Sequence, residues 1–127
     1  AVAMVAGLAV LEELEKGTAY PYINGLAETL CSEMNALGER LGVPLLATRV
    51  ASIFQFHFTD TQIKNKRDAM QANKRAANLF HLGLRAHGIL ASAHPLFIST
   101  THTQAHIDKV LEVSETVLKQ MKHDNLF

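Results

Sequence analysis

Seven histidines stand in 127 residues, and His94, His102 and His106 are the ones whose spacing could do chemistry. His102 and His106 are four apart, the step that puts two imidazoles on one helix face, and with His94 they could offer three nitrogens to a divalent metal. No cysteine, Asp or Glu completes a recognisable ligand set, however, and His102 precedes the helix that His106 joins. Capping and surface roles are therefore expected, and no residue is assigned as a metal ligand. Ser52, Ser92, Ser99 and Cys31 are possible nucleophiles beside histidines, but the strained Gly-x-Ser-x-Gly elbow and a glycine-rich oxyanion loop are both missing. No GxGxxG or GxxxxGK[ST] run offers a cradle for nucleotide phosphates. Lys64, Lys66, Arg67, Lys74 and Arg75 form a basic cluster without the interleaved aromatics that stack bases, so a solvated loop is expected rather than an RNA surface.

Bulk composition narrows the field further. Twelve basic and twelve acidic residues cancel to a formal charge of zero, which leaves no broad field to attract nucleic acid or an anionic membrane. A length of 127 residues with 48% hydrophobic content fits one domain over 1–127 that needs no metal or disulfide staple. Cys31 is the only cysteine; it reads as a helix packing group, and a reducing cytoplasmic setting is expected. The apolar run from Ala1 to Leu11 is too short to span a bilayer and lacks the basic start of a signal peptide.

The elements that must position these side chains follow from periodicity. A helix is expected from Ala1 to Lys16, rich in Ala, Leu, Met and Glu and closed by Gly17. Its first three turns have no polar face, so protein from outside the domain should cover it, and the chain reads as a piece of something longer. A second helix runs from Pro21 to Leu41, with Ile23, Leu26, Leu30, Met34, Leu37 and Leu41 on one stripe. Strands are expected at Leu45–Val50 and Ser52–Phe58, where Phe54, Phe56 and Phe58 alternate with Gln55 and His57. Thr59 to Ala72 reads as a long polar connection before Asn73 caps a helix that places Ala76, Leu79, Phe80, Gly83 and Leu84 inward and stops at Gly88. Ile89–Ala91 and Leu96–Ser99 are short strand candidates around Pro95. Thr103 caps a last helix, Gln104–Lys122, with Ile107, Val110, Leu111, Ser114, Val117, Leu118 and Met121 inward. The sum is an α+β domain: a short antiparallel sheet of about three strands covered by helices.

The order of these features resembles the C-terminal small domain of class III pyridoxal-phosphate aminotransferases of the glutamate-1-semialdehyde 2,1-aminomutase type. Ala3-Met4-Val5-Ala6-Gly7-Leu8-Ala9-Val10-Leu11-Glu12-Glu13-Leu14 is similar to the helix that follows a Gly-Asn-Pro signature. Ile23-Asn24-Gly25-Leu26 through Leu41-Gly42-Val43-Pro44 resembles the long helix and entry strand. Ala51-Ser52-Ile53-Phe54 resembles a Gly-Ser-Met-Phe strand start, with Ala in place of Gly. Phe80-His81, Leu84 and His87-Gly88-Ile89 are similar to the helix ending in Gly-Val or Gly-Ile. The most specific segment is Phe97-Ile98-Ser99-Thr100-Thr101-His102-Thr103 with Ile107-Asp108, which resembles Phe-x-Ser-x-Ala-His-Thr and its closing helix.

What the resemblance implies is a homodimeric fold type I enzyme in which pyridoxal phosphate, held as a Schiff base on lysine, is the electron sink for moving an amino group. The lysine, the acidic partner of the pyridine nitrogen and the phosphate-binding groups would belong to a large domain. No catalytic or cofactor-binding residue is therefore assigned in this chain. Two residues are implied to face substrate: Ser52 at the strand start, and His94 in the loop Ser92-Ala93-His94-Pro95-Leu96, where aminomutases carry Glu. A His there favours a relative acting on another amino acid or amine. The expected partner is a missing large domain, or a second copy docked through the apolar first helix. An alternative reading is a free-standing homodimeric binding or assembly domain that has lost catalysis.

Overall fold

A computed structural model describes residues 1–92 and 94–127. Helix α1 (Val2–Glu15) is followed by the long α2 (Ala19–Leu41), the hairpin β1 (Leu45–Val50) and β2 (Ile53–Phe58), the short α3 (Lys66–Gln71), α4 (Lys74–Ala86), a two-residue β3 (Leu96–Phe97) and α5 (Gln104–His123). The sheet is antiparallel in the order β1-β2-β3, so β2, the strand with alternating phenylalanines, is central. This is the α+β architecture expected from the sequence.

Alternation fixes which face of the sheet meets the helices. Leu45, Ala47, Phe54, Phe56 and Phe58 are buried on one face, and the register pairs Leu45 with Phe58 and Ala47 with Phe56. Shifting the hairpin by one residue would turn all of them to the opposite face. Helices α2, α4 and α5 cover this face with Leu30, Met34, Phe80, Leu84, Ile107 and Leu118 in one continuous core. The free edge of β1 is held by Asn35 of α2. Its Oδ1 accepts from the Ala47 N–H at 2.7 Å and its Nδ2 donates to the Ala47 carbonyl at 3.2 Å. One side chain thus pairs both backbone groups of Ala47 that point away from β2 along the sheet's open edge.

The helix ends follow ordinary capping chemistry. Gly42 closes α2 with φ at +62°, a left-handed conformation that glycine adopts without a side-chain clash. Ala51 in the two-residue hairpin turn has φ at +54°, a region that costs an L-alanine about 1–2 kcal/mol. This is the position where the family resemblance calls for glycine.

Four expectations need correction. The stretch Thr59–Ala72 is not structureless: it contains α3, because Asn65 Oδ1 accepts from the N–H groups of Arg67 (2.8 Å) and Asp68 (3.2 Å) and so starts a helix without any apolar stripe. Ile89–Ala91 is not a strand. The Ile89 N–H is spent on the Leu84 carbonyl at 2.9 Å, which ends α4, and residues 89–91 form no strand. Beyond β3, the Ile98 N–H donates to the Ser52 carbonyl at 3.1 Å, but the strand itself stops at Phe97. The second helix also begins two residues earlier than expected, at Ala19. Pro21 sits within its first turn, where a missing N–H leaves no bond unmade.

Candidate functional site

On the far side of β2 from the core, Gln55 and His57 look into an open cavity of about 330 Å³. Helix α3 contributes Lys66 and Met70 to its wall, the start of α4 contributes Asn73, Lys74 and Asn78, and the loop before β3 contributes His94. His57 is here because side chains alternate along β2: the phenylalanines point to the helices, so the residues between them point away. It is only 7% exposed. Its Nε2 lies 3.1 Å from Thr48 Oγ1, a diagonal neighbour on β1. Burial disfavours the imidazolium and lowers the His57 pKa, so the ring is neutral near pH 7.

Among the described residues the cavity wall carries two ammonium groups and no carboxylate. Lys66 and Lys74 are exposed at the first positions of α3 and α4.

His94 therefore lies where it could meet a ligand. Ser52 does not join it. Ser52 is half-buried in the hairpin turn, is absent from the cavity wall, and uses its carbonyl to hold Ile98. Ala93, the residue before His94, lies outside the described residues, so the loop around His94 is placed by Ser92, His94 and Pro95 alone.

The three histidines with metal-like spacing are separated. His102 and His106 line a different cavity of about 120 Å³, an apolar pocket between β3, α4 and α5, and among the described residues no group of three His, Cys, Asp or Glu is placed to hold a metal. Their Nδ1 atoms serve local structure. His102 Nδ1 accepts from the Ser99 N–H at 3.0 Å, and His106 Nδ1 accepts from the Thr103 N–H at 3.0 Å, where a capping box ordinarily uses Glu or Gln. Tyr22 adds a bond from its hydroxyl to the His102 carbonyl at 2.6 Å. The Phe-x-Ser-like segment is thus a self-bonded turn that seats α5.

Pyridoxal-phosphate chemistry requires a desolvated lysine amine and an acid against the pyridine nitrogen. The lysines of the cavity are exposed and no acid stands opposite them. The described residues do not fit that cofactor by themselves. Cys31, the remaining nucleophile of interest, is buried in α2. Its thiol pKa is pushed up to about 11, chiefly by loss of hydration, with Arg49 acting weakly in the opposite direction. A protonated, enclosed thiol is a packing group.

An antiparallel sheet of three strands under helices, with a polar pocket on its open face and no complete catalytic set among the described residues, is an α+β domain. Known proteins say which kind. The chain is 30% identical over 126 residues to the glutamate-1-semialdehyde 2,1-aminomutase of Pyrobaculum calidifontis, a match covering 97% of this chain and 29% of that protein. It is also 30% identical over 123 residues to the enzyme of the same name from Methylacidiphilum infernorum, covering 94% of the chain and 28% of the relative. Among solved structures, a β-phenylalanine aminotransferase from Variovorax paradoxus superposes with a TM-score of 0.74 at 21% identity, over 80% of this chain and 24% of that one. An aminomutase from Pseudomonas aeruginosa gives 0.72 at 20% identity, over 81% and 23%. No family model matches the chain. The resemblance to aminomutase-type class III aminotransferases thus holds along nearly the whole chain in sequence and over about four-fifths of it in fold, and the chain spans about three-tenths of the length of the curated relatives it matches.

His57, Lys66 and Lys74 were not singled out as site residues from sequence. The signal for His57 was present, as a polar residue alternating with phenylalanines, but nothing in the sequence showed that α3 would fold back over it.

Proposed function

We propose that this chain is the small domain of a pyridoxal-phosphate-dependent aminotransferase or aminomutase, one that shapes the substrate side of the site and is not catalytic alone. The observation that carries this reading is the match of nearly the whole chain to under a third of the aminomutases, together with a cavity that has polar side chains but no buried lysine. The cofactor, the acceptor site and the lysine belong in this reading to a large domain, in a cytoplasmic homodimer. His94, on the cavity wall, faces the substrate. With imidazole where the aminomutases carry a carboxylate, the substrate is an amino acid or amine other than the semialdehyde. Ser52 is the second substrate-facing residue, at the turn that a large domain would approach.

Two measurements test the reading. The coding sequence upstream of Ala1 should specify a lysine-bearing large domain ending in Gly-Asn-Pro; an unrelated domain there would refute it. The purified chain, mixed with pyridoxal phosphate and reduced with borohydride, should show no stoichiometric lysine adduct by mass spectrometry. A single fully modified lysine would mean that the chain holds a cofactor site of its own.

A further inference from the structure

We propose that the cavity between β2, α3 and the start of α4 is a binding site for a small organic carboxylate, with Lys66 and Lys74 neutralising the anion and the His57 ring donating to it. Three independent observations converge there.

The first is charge. Both charged groups on the wall are ammoniums, and neither has an ion-pair or hydrogen-bond partner among the described residues. Of the five lysines elsewhere, Lys16, Lys109 and Lys119 pair with glutamates and Lys122 reaches the Leu41 carbonyl, while Lys64, outside the cavity wall, also has no side-chain partner among the described residues. The second is His57. It is more than nine-tenths buried, its Nε2 is engaged by Thr48, and its Nδ1 has no partner among the described residues. In the tautomer with the proton on Nδ1, Thr48 donates to Nε2 and the Nδ1–H is left to donate to a ligand. Its lowered pKa keeps the ring neutral, so it acts as a donor dipole beside the lysine charges. The third is shape. A volume of about 330 Å³ lies in the range of small-molecule sites, roughly 300–1,000 Å³. Met70 and Ala77 add an apolar wall for a carbon body, which a bare inorganic anion would leave unused.

The geometry alone assigns the carboxylate. That the carboxylate belongs to an amino or oxo acid rests on the proposed function, because His94, the substrate-facing residue of that reading, lies on the same wall.

The test is a titration of the whole chain by proton–nitrogen NMR at constant ionic strength, with histidine ring resonances followed separately. The probes are 4-oxopentanoate, its uncharged counterpart 2-pentanone, and inorganic phosphate. Saturable shifts at His57, Lys66 and Lys74 with 4-oxopentanoate are expected, with much weaker effects from the other two. Lys66→Ala/Lys74→Ala, at exposed positions where folding is undisturbed, should weaken 4-oxopentanoate binding at least tenfold. The proposal is overturned if the double variant binds as tightly as the parent, if 2-pentanone binds equally well, or if phosphate alone binds. Its failure would leave the upstream coding sequence unaffected, so the two readings fail separately.

Discussion

His81 shows most directly how a single residue's burial sets a measurable property. It is 1% exposed in α4, stacked on Phe56 at 6.4 Å, and its Nδ1 has no hydrogen-bond partner among the described residues. Loss of hydration, with a smaller push from the Arg85 charge, lowers its pKa from 6.5 to about 4. Because the folded pKa lies below the unfolded one, the unfolded chain binds the extra proton between these values, and stability falls as pH drops through that window. The displacement is equivalent to about 3 kcal/mol, present above pH 6.5 and lost on approach to pH 4. His57, lowered in the same direction, adds to the slope. His81→Phe keeps the ring stacking and removes the titration, so its urea midpoint should change much less across the window. A variant with the parent's pH slope would show that His81 does not carry the effect. From sequence, His81 read only as part of a Phe-His pair resembling the family pattern. Its burial depends on the sheet, because Phe56 of β2 is brought against it from twenty-five residues away in the chain.

At the scale of elements, legibility tracked whether a segment's hydrogen bonds and its apolar stripe say the same thing. Helices α2 and α5 and strand β2 carry both signals, and each formed close to the expected bounds. Helix α3 has a cap but no stripe, and Ile89–Ala91 has apolar residues but no strand partner, so pattern alone misassigned both. For the site, the sequence pointed to His94 through the family resemblance. It could not show that α3 folds over Gln55 and His57, because that contact joins segments whose local patterns are silent about each other. Helices α4 and α5 pack closely where Gly83 meets Val117. A Cβ at Gly83 would stand 2.5 Å from Val117 Cγ1 and 3.1 Å from Cγ2. Valine in a helix has essentially one side-chain rotamer, so it does not move aside. Gly83→Ala gains about 1 kcal/mol of helix propensity and loses about 1–3 kcal/mol to overpacking, and net destabilisation is expected in chemical denaturation. In the double variant with Val117→Ala the clash disappears, and its loss should be smaller than the sum of the two single losses. Strict additivity would mean that the helices separate to accept the methyl group.

At the scale of the whole molecule, α1 is the part that the rest of the chain does not account for. No residue of α1 is buried; Met4 is 79% exposed and Leu8 57%. The apolar composition that predicted this helix would ordinarily place it inside a core. Instead Val2, Met4, Val5, Leu8, Val10 and Leu11 are all exposed on this one helix, a concentration of large apolar side chains that marks an interaction surface more often than chance exposure. In the proposed function a large domain covers it, in keeping with relatives more than three times as long as this match. The chain by itself should therefore self-associate in the micromolar range, through α1 and with the core intact. Val5→Glu/Leu8→Glu should sediment as a monomer while keeping the parent's unfolding midpoint, since neither side chain contributes to the core. Sedimentation velocity of the parent separates the two covers that the sequence left open. A single closed dimer favours a second copy, whereas open-ended association favours a surface built for a different domain. A parent chain that stays monomeric at every concentration would show that α1 needs no cover at all, and the argument from its exposure would fail.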